Sequence, residues 1–309
     1  MSFSFLFPGQ GSQYNGMLQE HFEEFPEFSE TLEQGEAFYK ESFKEIIFSR
    51  DPRISDTYYT QPLLLLVSFA FFKVWKRHNC PLPKISLGHS LGEISSLLSS
   101  GVFELETALE LVKTRANLMI EEKGTKKTIM SAVLGLDSKT IVEVINEKKS
   151  DFLEPVNFNS PNQTVIVGNA DEVEIAKLIL KEFGARRVVD LSVSVPSHSS
   201  LMSIASTKFK LVLDDLGFNK ASFPTIHNVD AKVAISSEEI KDKIAYQISK
   251  PVLWVDCMSK LKKYSLEEHF ELGPGKVLSS LGKQNRVPGE FCSFDDINVF
   301  KDKLKEYGK

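Results

Sequence analysis

Three residues are placed to do chemistry in this chain: a serine between two glycines, a histidine on a polar loop and an arginine on the apolar side of a helix. Residues 86–101 read SLGHSLGEISSLLSSG, and within them Gly88-His89-Ser90-Leu91-Gly92 fits the G-x-S-x-G pattern of a nucleophile elbow. In such a turn a strand ends, the chain reverses sharply and a helix begins. The hydroxyl then faces a cleft, the helix N-terminus lends positive potential, and the Leu91 N–H points toward an incoming carbonyl oxygen. The same residues also suit a helix N-cap serine beside two glycines, and the spacing alone leaves both readings open.

A serine nucleophile needs a base, and the chain has six histidines. His21 and His78 are expected at polar helix ends, in water. His89 adjoins Ser90, and since neighbours on a tight turn point apart it is assigned a supporting role. His269, within EEHFELGPG, follows a half-buried strand pattern and is expected to pack. His198, within SVSVPSHSSLM, sits on a proline-bearing loop at an expected domain junction, where clefts form, and is the leading base. Asp190 precedes it in the order serine, acid, histidine, but it alternates with apolar neighbours in RVVDLSV and is expected on the solvent side of a strand. A backbone carbonyl can orient an imidazole in its place. Arg115 shares a helix face with Leu111, Leu118 and Met119, so its guanidinium can be directed inward, where its fork suits a bidentate carboxylate. The alternative is a surface pair with Glu121 or Glu122.

The elements that must position these residues read as α/β. A buried strand over Phe3–Phe7 runs into a Pro-Gly-x-Gly loop, in which Gly9 and Gly11 relax the backbone, and then into a helix from about Met17. Thr60 caps a helix with Pro62 in its first turn that continues to about His78. A strand over Lys84–Leu87, the Ser90 turn, a helix from Gly92 to Ser99 closed by Gly101, and a helix from Glu104 to about Glu122 follow. From about Thr128 to Val193 the order becomes strand, helix (Ser138–Lys149), strand, strand, helix (Asp171–Phe183), strand, the ferredoxin-like split pattern. The expected architecture is a larger α/β-hydrolase-like domain with a parallel-sheet core, residues 1–125 and 194–309, carrying a smaller inserted ferredoxin-like (βαββαβ) domain, residues 126–193. Later elements are a helix from Met202 to Leu216, a strand in FPTIHNVD, a helix from Glu238 to Ser249 and a strand in SLEEHFELGPG; the stretch after Arg286 matches no motif.

Composition removes several function classes. With 309 residues, 42% hydrophobic and 26% charged, the chain reads as soluble and globular, with room for one large domain or two smaller ones. A net charge of −5 provides no general basic field for nucleic acid. Cys80, Cys257 and Cys292 lack disulfide-framework or zinc-ligand spacing, so no metal is expected and a reducing cytoplasm fits. The start, MSFSFLFPGQGSQ, has no signal-peptide pattern, and the apolar run at 62–72 is about half of a bilayer span, so no membrane association is expected. With no coiled-coil heptads or long apolar edge strand, a monomer is expected.

FLFPGQGSQ (5–13), GHSLGE (88–93), KTRANLM (113–119), PVNFNSP (155–161), SVSVPSHSSLM (192–202), NVD (228–230), QISKPVLW (247–254) and ELGPGKVL (271–278) occur in the order found in malonyl-CoA:acyl carrier protein transacylases. Over nearly its whole length the chain resembles the discrete bacterial enzymes of type II fatty acid synthesis. The resemblance implies Ser90 as acylated nucleophile, His198 as its base, and the backbone carbonyl of Gln247 as the group orienting the imidazole. It places the oxyanion on the N–H groups of Gln10 and Leu91 and the malonyl carboxylate on Arg115, and it adds Asn159, Asn228 and Met119 as substrate contacts. It implies ping-pong transfer from malonyl-CoA to the phosphopantetheine thiol of an acyl carrier protein, with the coenzyme A thioester as substrate and no cofactor. Acetyl-CoA, lacking the distal carboxylate, would leave the guanidinium unpaired and is expected to react far less. Arg186, Arg187 and Lys250 are candidates for docking the acidic carrier. His227 departs from the small or amide residue common in relatives at that position. Two rival readings are a hydrolase that would share the elbow and release its acyl group to water, and a carrier-binding scaffold in which Ser90 is only a cap. The FPGQGSQ loop and the inserted βαββαβ pattern count against the first.

Overall fold

The computed structural model describes residues 2–148, 150–193 and 195–309; the helix end expected at Lys149 and the return point expected at Ser194 lie outside the described residues. The chain begins with β1 (Phe3–Phe7), α1 (Gln19–Glu24), α2 (Pro26–Tyr39), α3 (Phe43–Phe48), α4 (Thr57–Arg77), β2 (Ile85–Gly88), α5 (Leu91–Ser99) and α6 (Leu105–Lys123). It then forms β3 (Thr128–Leu134), α7 (Ser138–Glu147), β4 (Leu153–Ser160), β5 (Gln163–Asn169), α8 (Ala170–Glu182) and β6 (Arg187–Asp190). It returns through α9 (Ser203–Asp214), β7 (Thr225–Ile226), α10 (Ser237–Tyr246), α11 (Trp254–Lys262), β8 (Glu268–Glu271), α12 (Val277–Gln284), β9 (Glu290–Ser293) and α13 (Ile297–Tyr307). The architecture is mixed α/β, with one parallel and one antiparallel sheet.

The parallel sheet has the order β7-β2-β1-β8-β9. Its central strand is buried along its whole length because both faces are covered. Phe3, Phe5 and Phe7 point into the larger core with Phe72, Trp75 and Phe270, while Leu6 points to the opposite core with Ile85, Leu87 and Trp254. Some of these rings meet edge-on, as with Phe5 and Trp75 at 5.6 Å and 86°, and others are tilted, as with Phe3 and Phe270 at 5.0 Å and 33°. This packing sets β1 beside β2 in the register Phe7↔Gly88, so the loop after β1 and the turn after β2 emerge together at the carboxyl end of the sheet's strands. That juxtaposition creates the site.

The second sheet is antiparallel, in the order β4-β5-β3-β6, with α7 and α8 packed on one face through Ile141, Val144, Val173 and Leu180. Its other face presents Met130, Ala132, Val156, Val165 and Val167 toward Leu191, Val193 and Leu201.

Several expectations are corrected. The α4 helix starts at Thr57, capped by Asp56, whose side chain accepts from Tyr58 N; Thr60 spends its hydroxyl on Ile54 O and Asp56 O, and Pro62 lies inside the helix. The tail after Arg286 contributes β9, parallel to β8, and α13, whose Phe300 and Tyr307 are buried. His21 is not in water. It is 2% exposed, its Nε2–H donates to Phe294 O at 2.8 Å, and its ring lies against Phe28, Phe71 and Phe300. Those partners come from α2, α4 and the C-terminal tail, so its burial depends on contacts that local periodicity does not contain. Among the described residues no helix is long and apolar enough to cross a membrane.

Candidate active site

Ser90 has φ 53 and ψ −113, a conformation disfavoured for a residue with a side chain, and it immediately precedes the first residue of α5. The turn closes only because its neighbours are glycines. A Cβ at Gly88 would lie 1.9 Å from the Gly92 carbonyl carbon, and one at Gly92 would lie 1.9 Å from Phe7 O. Surrounding bonds hold the strained turn: Asn228 Oδ1 accepts from Ser90 N at 2.8 Å, and Asn228 Nδ2 donates to Gly88 O at 2.7 Å. Ser90 makes no side-chain cap to α5, so the helix-cap reading is set aside by geometry.

The hydroxyl is instead directed to His198, whose Nε2 lies 2.8 Å from Ser90 Oγ. His198 Nδ1 is 2.6 Å from the carbonyl oxygen of Gln247. A carbonyl can only accept, so Nδ1 carries the hydrogen and Nε2 turns its lone pair to the serine, the tautomer a base requires. His198 is 2% exposed, and burial first, then the Arg115 cation, push it down to about 3. It therefore rests neutral. Asp190 takes no part in this arrangement; it is exposed and bonds Ser131 and Lys177.

Arg115 is 2% exposed, which overturns the surface alternative. It donates from Nη1 to Gln61 Oε1 at 2.6 Å, and from Nη2 to Gln247 Oε1 at 3.1 Å and Ser90 Oγ at 3.3 Å. Each of these partners is neutral, and Nε has no hydrogen-bond partner among the described residues. Burial pulls the guanidinium down to about 10, opposed by the Glu93 carboxylate, so it stays a cation at neutral pH. A buried cation whose direct partners are neutral oxygens can attract an anion.

The cleft above these groups has a volume of about 60 Å³. Gln10, Gln61, His89, Ser90, Leu91, Arg115, Ser197 and His198 line it from the large sheet's side, and Met130, Asn157, Leu191 and Val193 from the small sheet's side. Leu91 opens α5, so its N–H has no acceptor within the helix. Gln10 reaches the cleft because its loop lies against the elbow; a Cβ at Gly9 would be 2.3 Å from His89 O.

Other expected contacts fall elsewhere. Asn159 turns behind the elbow, where its Oδ1 accepts from His89 Nε2 at 2.8 Å, and Asn157 lines the cleft in its stead, with Oδ1 lacking a hydrogen-bond partner among the described residues. The irregular pairing of β4 with β5, between Pro155 and Asn157 and again between Phe158 and Ser160, breaks the simple alternation. Asn228 braces the elbow through both ends of its amide. Met119 is 1% exposed within the larger core, outside the cleft lining. Arg187 pairs with Leu134, four residues up the strand from the cleft-lining Leu191, with exposed Arg186 beside it. Lys250 is exposed in a separate hollow with Asp230, Asp242 and Tyr246. Gln61 and Glu93 were not anticipated; a lone glutamine inside the apolar run YTQPLLLLV was the available signal for the first.

The buried histidines make stability fall in acid. His21, pushed down to about 4, and His198 stay neutral when folded but take a proton below pH 6.5 when unfolded. The unfolded chain thus binds more protons, and each group costs roughly 2 kcal/mol at pH 5. His89 and His269, also lowered by burial, act in the same direction. Glu271, raised by burial to about 7, takes its proton first in the folded state and offsets about one of these histidines. The urea midpoint is expected to be lower at pH 5 than at pH 7.5; an unchanged or higher midpoint would mean these rings are not buried neutral.

Residues 4–264 match the acyl transferase domain family. The malonyl CoA-acyl carrier protein transacylase of Escherichia coli O157:H7 is 37% identical over 285 residues, 91% of this chain and 92% of that protein. A solved malonyl-CoA:acyl carrier protein transacylase from Xanthomonas oryzae superposes with a TM-score of 0.94 at 33% identity, covering 100% of each chain. A malonyl-transacylase solved in complex with its type II PKS acyl-carrier protein superposes with a TM-score of 0.95 at 34% identity, covering 99% of this chain and 100% of that one.

Proposed function

The chain belongs to the malonyl-CoA:acyl carrier protein transacylases, an acyltransferase family, and from that premise we propose that Ser90 relays a malonyl group from coenzyme A to a carrier protein's phosphopantetheine thiol. The observation that carries the reading is a single hydroxyl, Ser90 Oγ, lying 2.8 Å from the His198 base and 3.3 Å from a buried arginine.

In the first half-reaction Ser90 Oγ attacks the thioester carbonyl while His198 Nε2 takes its proton. The Gln247 carbonyl, bonded to Nδ1–H, stabilises the imidazolium. The oxyanion rests on the Gln10 and Leu91 N–H groups at the positive end of α5. His198 then returns the proton to the departing sulfur, and coenzyme A leaves a malonyl ester on Ser90. In the second half-reaction the carrier's thiol gives its proton to His198, attacks the ester carbonyl and takes the malonyl group; His198 hands the proton back to Ser90 Oγ. Kinetics are ping-pong. A thioester is exchanged for an ester and then for a thioester, so the chemistry calls for no redox group or cofactor.

The cleft's dimensions fit this reading. Its small volume suits a three-carbon acyl group, and Met130, Leu191 and Val193 form an apolar wall that keeps water from the ester while the carrier arrives. Arg115 takes the malonyl carboxylate. We read the parallel-sheet body as α/β-hydrolase-like, residues 1–125 and 194–309, and the four-stranded unit at 126–193 as ferredoxin-like. Arg186, Arg187 and Lys250 remain candidate contacts for an acidic carrier, and a monomeric cytoplasmic enzyme of fatty acid synthesis is the setting this supports.

The experiment is intact-protein mass after brief exposure to malonyl-CoA, followed by addition of an acyl carrier protein. A malonyl adduct that moves to the carrier is expected. An adduct lost to water at the same rate with and without carrier would make the chain a hydrolase, and no adduct would return Ser90 to a structural role.

A further inference from the structure

Beneath the elbow lies a carboxylate that the two half-reactions leave unused. Glu93, on α5, is 0% exposed and accepts three hydrogen bonds: from His227 Nδ1 at 2.7 Å, from Asn228 N at 2.9 Å and from Gln247 Nε2 at 2.8 Å. The same Gln247 amide accepts from Arg115 Nη2 at 3.1 Å on its other side. A chain of contacts therefore runs from guanidinium through one amide to carboxylate and then to imidazole, with every member buried.

Charge counting gives this chain a task. The Arg115 cation and the Glu93 anion sum to zero in a buried region. A malonyl carboxylate arriving at Arg115 leaves one negative charge in excess, at a cost that grows as the surroundings dry. We propose that the Glu93–His227 pair takes up one proton when a carboxylate-bearing acyl group loads onto Ser90, which makes His227 a positioning residue that determines acyl selectivity through Glu93, Gln247 and Arg115. The proposal rests on the reading of Arg115 as the malonyl seat. An acetyl group brings no charge and calls for no proton.

Charged and titratable groups face His227 from the elements packed against it. Glu93 faces it from α5, and Glu239 of α10 interacts with it electrostatically. Asp230 and Lys232 flank it in its own loop, with Lys232 O accepting from His227 N. Lys243 of α10 pairs with both Asp230 and Glu239. From α11, Cys257 donates to His227 O, with Asp256 next to it in the chain. The rival acceptor is His198, which also senses Arg115.

The test is the equilibrium constant for acyl loading, read by intact mass at fixed ratios of acyl-CoA to coenzyme A between pH 6 and 8. The exchange itself is proton-neutral, so a slope reports linked protons, at most about tenfold per pH unit for one proton. For the native chain, malonyl loading is expected to be about tenfold stronger at pH 6 than at pH 8, while acetyl loading stays flat. His227→Asn keeps a donor toward Glu93 but cannot bind a proton, and its malonyl slope is expected to vanish; His227→Gln gives the same readout should the first variant fold poorly. Equal slopes for malonyl and acetyl in the native chain overturn the proposal. So does a malonyl slope that survives in both variants, which assigns the proton to His198. Malonyl loading without any slope defeats this proposal alone, whereas failure to load malonyl defeats the acyltransfer reading on which it stands.

Discussion

Ser90→Ala is expected to form no malonyl adduct and to lose carrier malonylation by roughly 10⁵–10⁶-fold, the scale seen when a serine nucleophile working with its base is removed. The size follows from the geometry. His198 is held by its backbone to Ile248 O and by its ring to Gln247 O, so it is aimed at the one atom the variant lacks. The fold should survive, because Ser90 braces the elbow through its backbone N–H and carbonyl, and both remain. Intact mass and carrier transfer, measured beside a urea midpoint, separate chemistry from stability. Residual transfer within tenfold of native would mean another group carries the acyl chain.

Arg115→Ala is expected to reduce malonyl loading while leaving acetyl loading comparatively unaffected, so that the preference between the two donors shrinks by roughly a hundredfold or more. The native site presents a buried cation to which malonyl supplies a counter-charge and acetyl supplies nothing. The truncated site has no charge to satisfy. Because Arg115 also holds Gln61 and Gln247, some general loss is expected, and for that reason the ratio of the two donors is the informative quantity. Arg115→Lys keeps charge but loses the fork, and should fall between the two. A parallel loss for both donors would make Arg115 a structural brace only.

Much of the site could be read from local sequence because local geometry builds it. The elbow needs small residues at Gly88 and Gly92, and a buried parallel strand needs an unbroken apolar run such as Phe3–Phe7. The strand and helix order from about Thr128 to Val193 is likewise a local property. The misreadings share a different origin. His21 is closed in by Phe294 and Phe300, more than 270 positions away, and β9 is a four-residue strand whose partner, β8, had to be known first. Asn159 was expected at the cleft and Asn157 is found there, because β4 pairs irregularly, a feature that leaves no trace in the letters PVNFNSP. Asn228 and Met119 were carried over with their motifs as substrate contacts, yet one braces the elbow and the other fills core. Proximity in a motif does not say which side of a wall a side chain occupies.

The two sides of the cleft come from different sheets, and this gives the molecule a division of labour that selection can exploit. Ser90, His198, Gln10 and Leu91 all stand on the parallel sheet's side, whereas Met130, Asn157, Leu191 and Val193 arrive from the other. Substitutions at those four positions can widen or narrow the room left for the acyl chain without moving an atom that makes or breaks a bond. The room beside Ser90 can thus be reshaped by mutating one wall while Ser90, His198 and Arg115 are inherited intact.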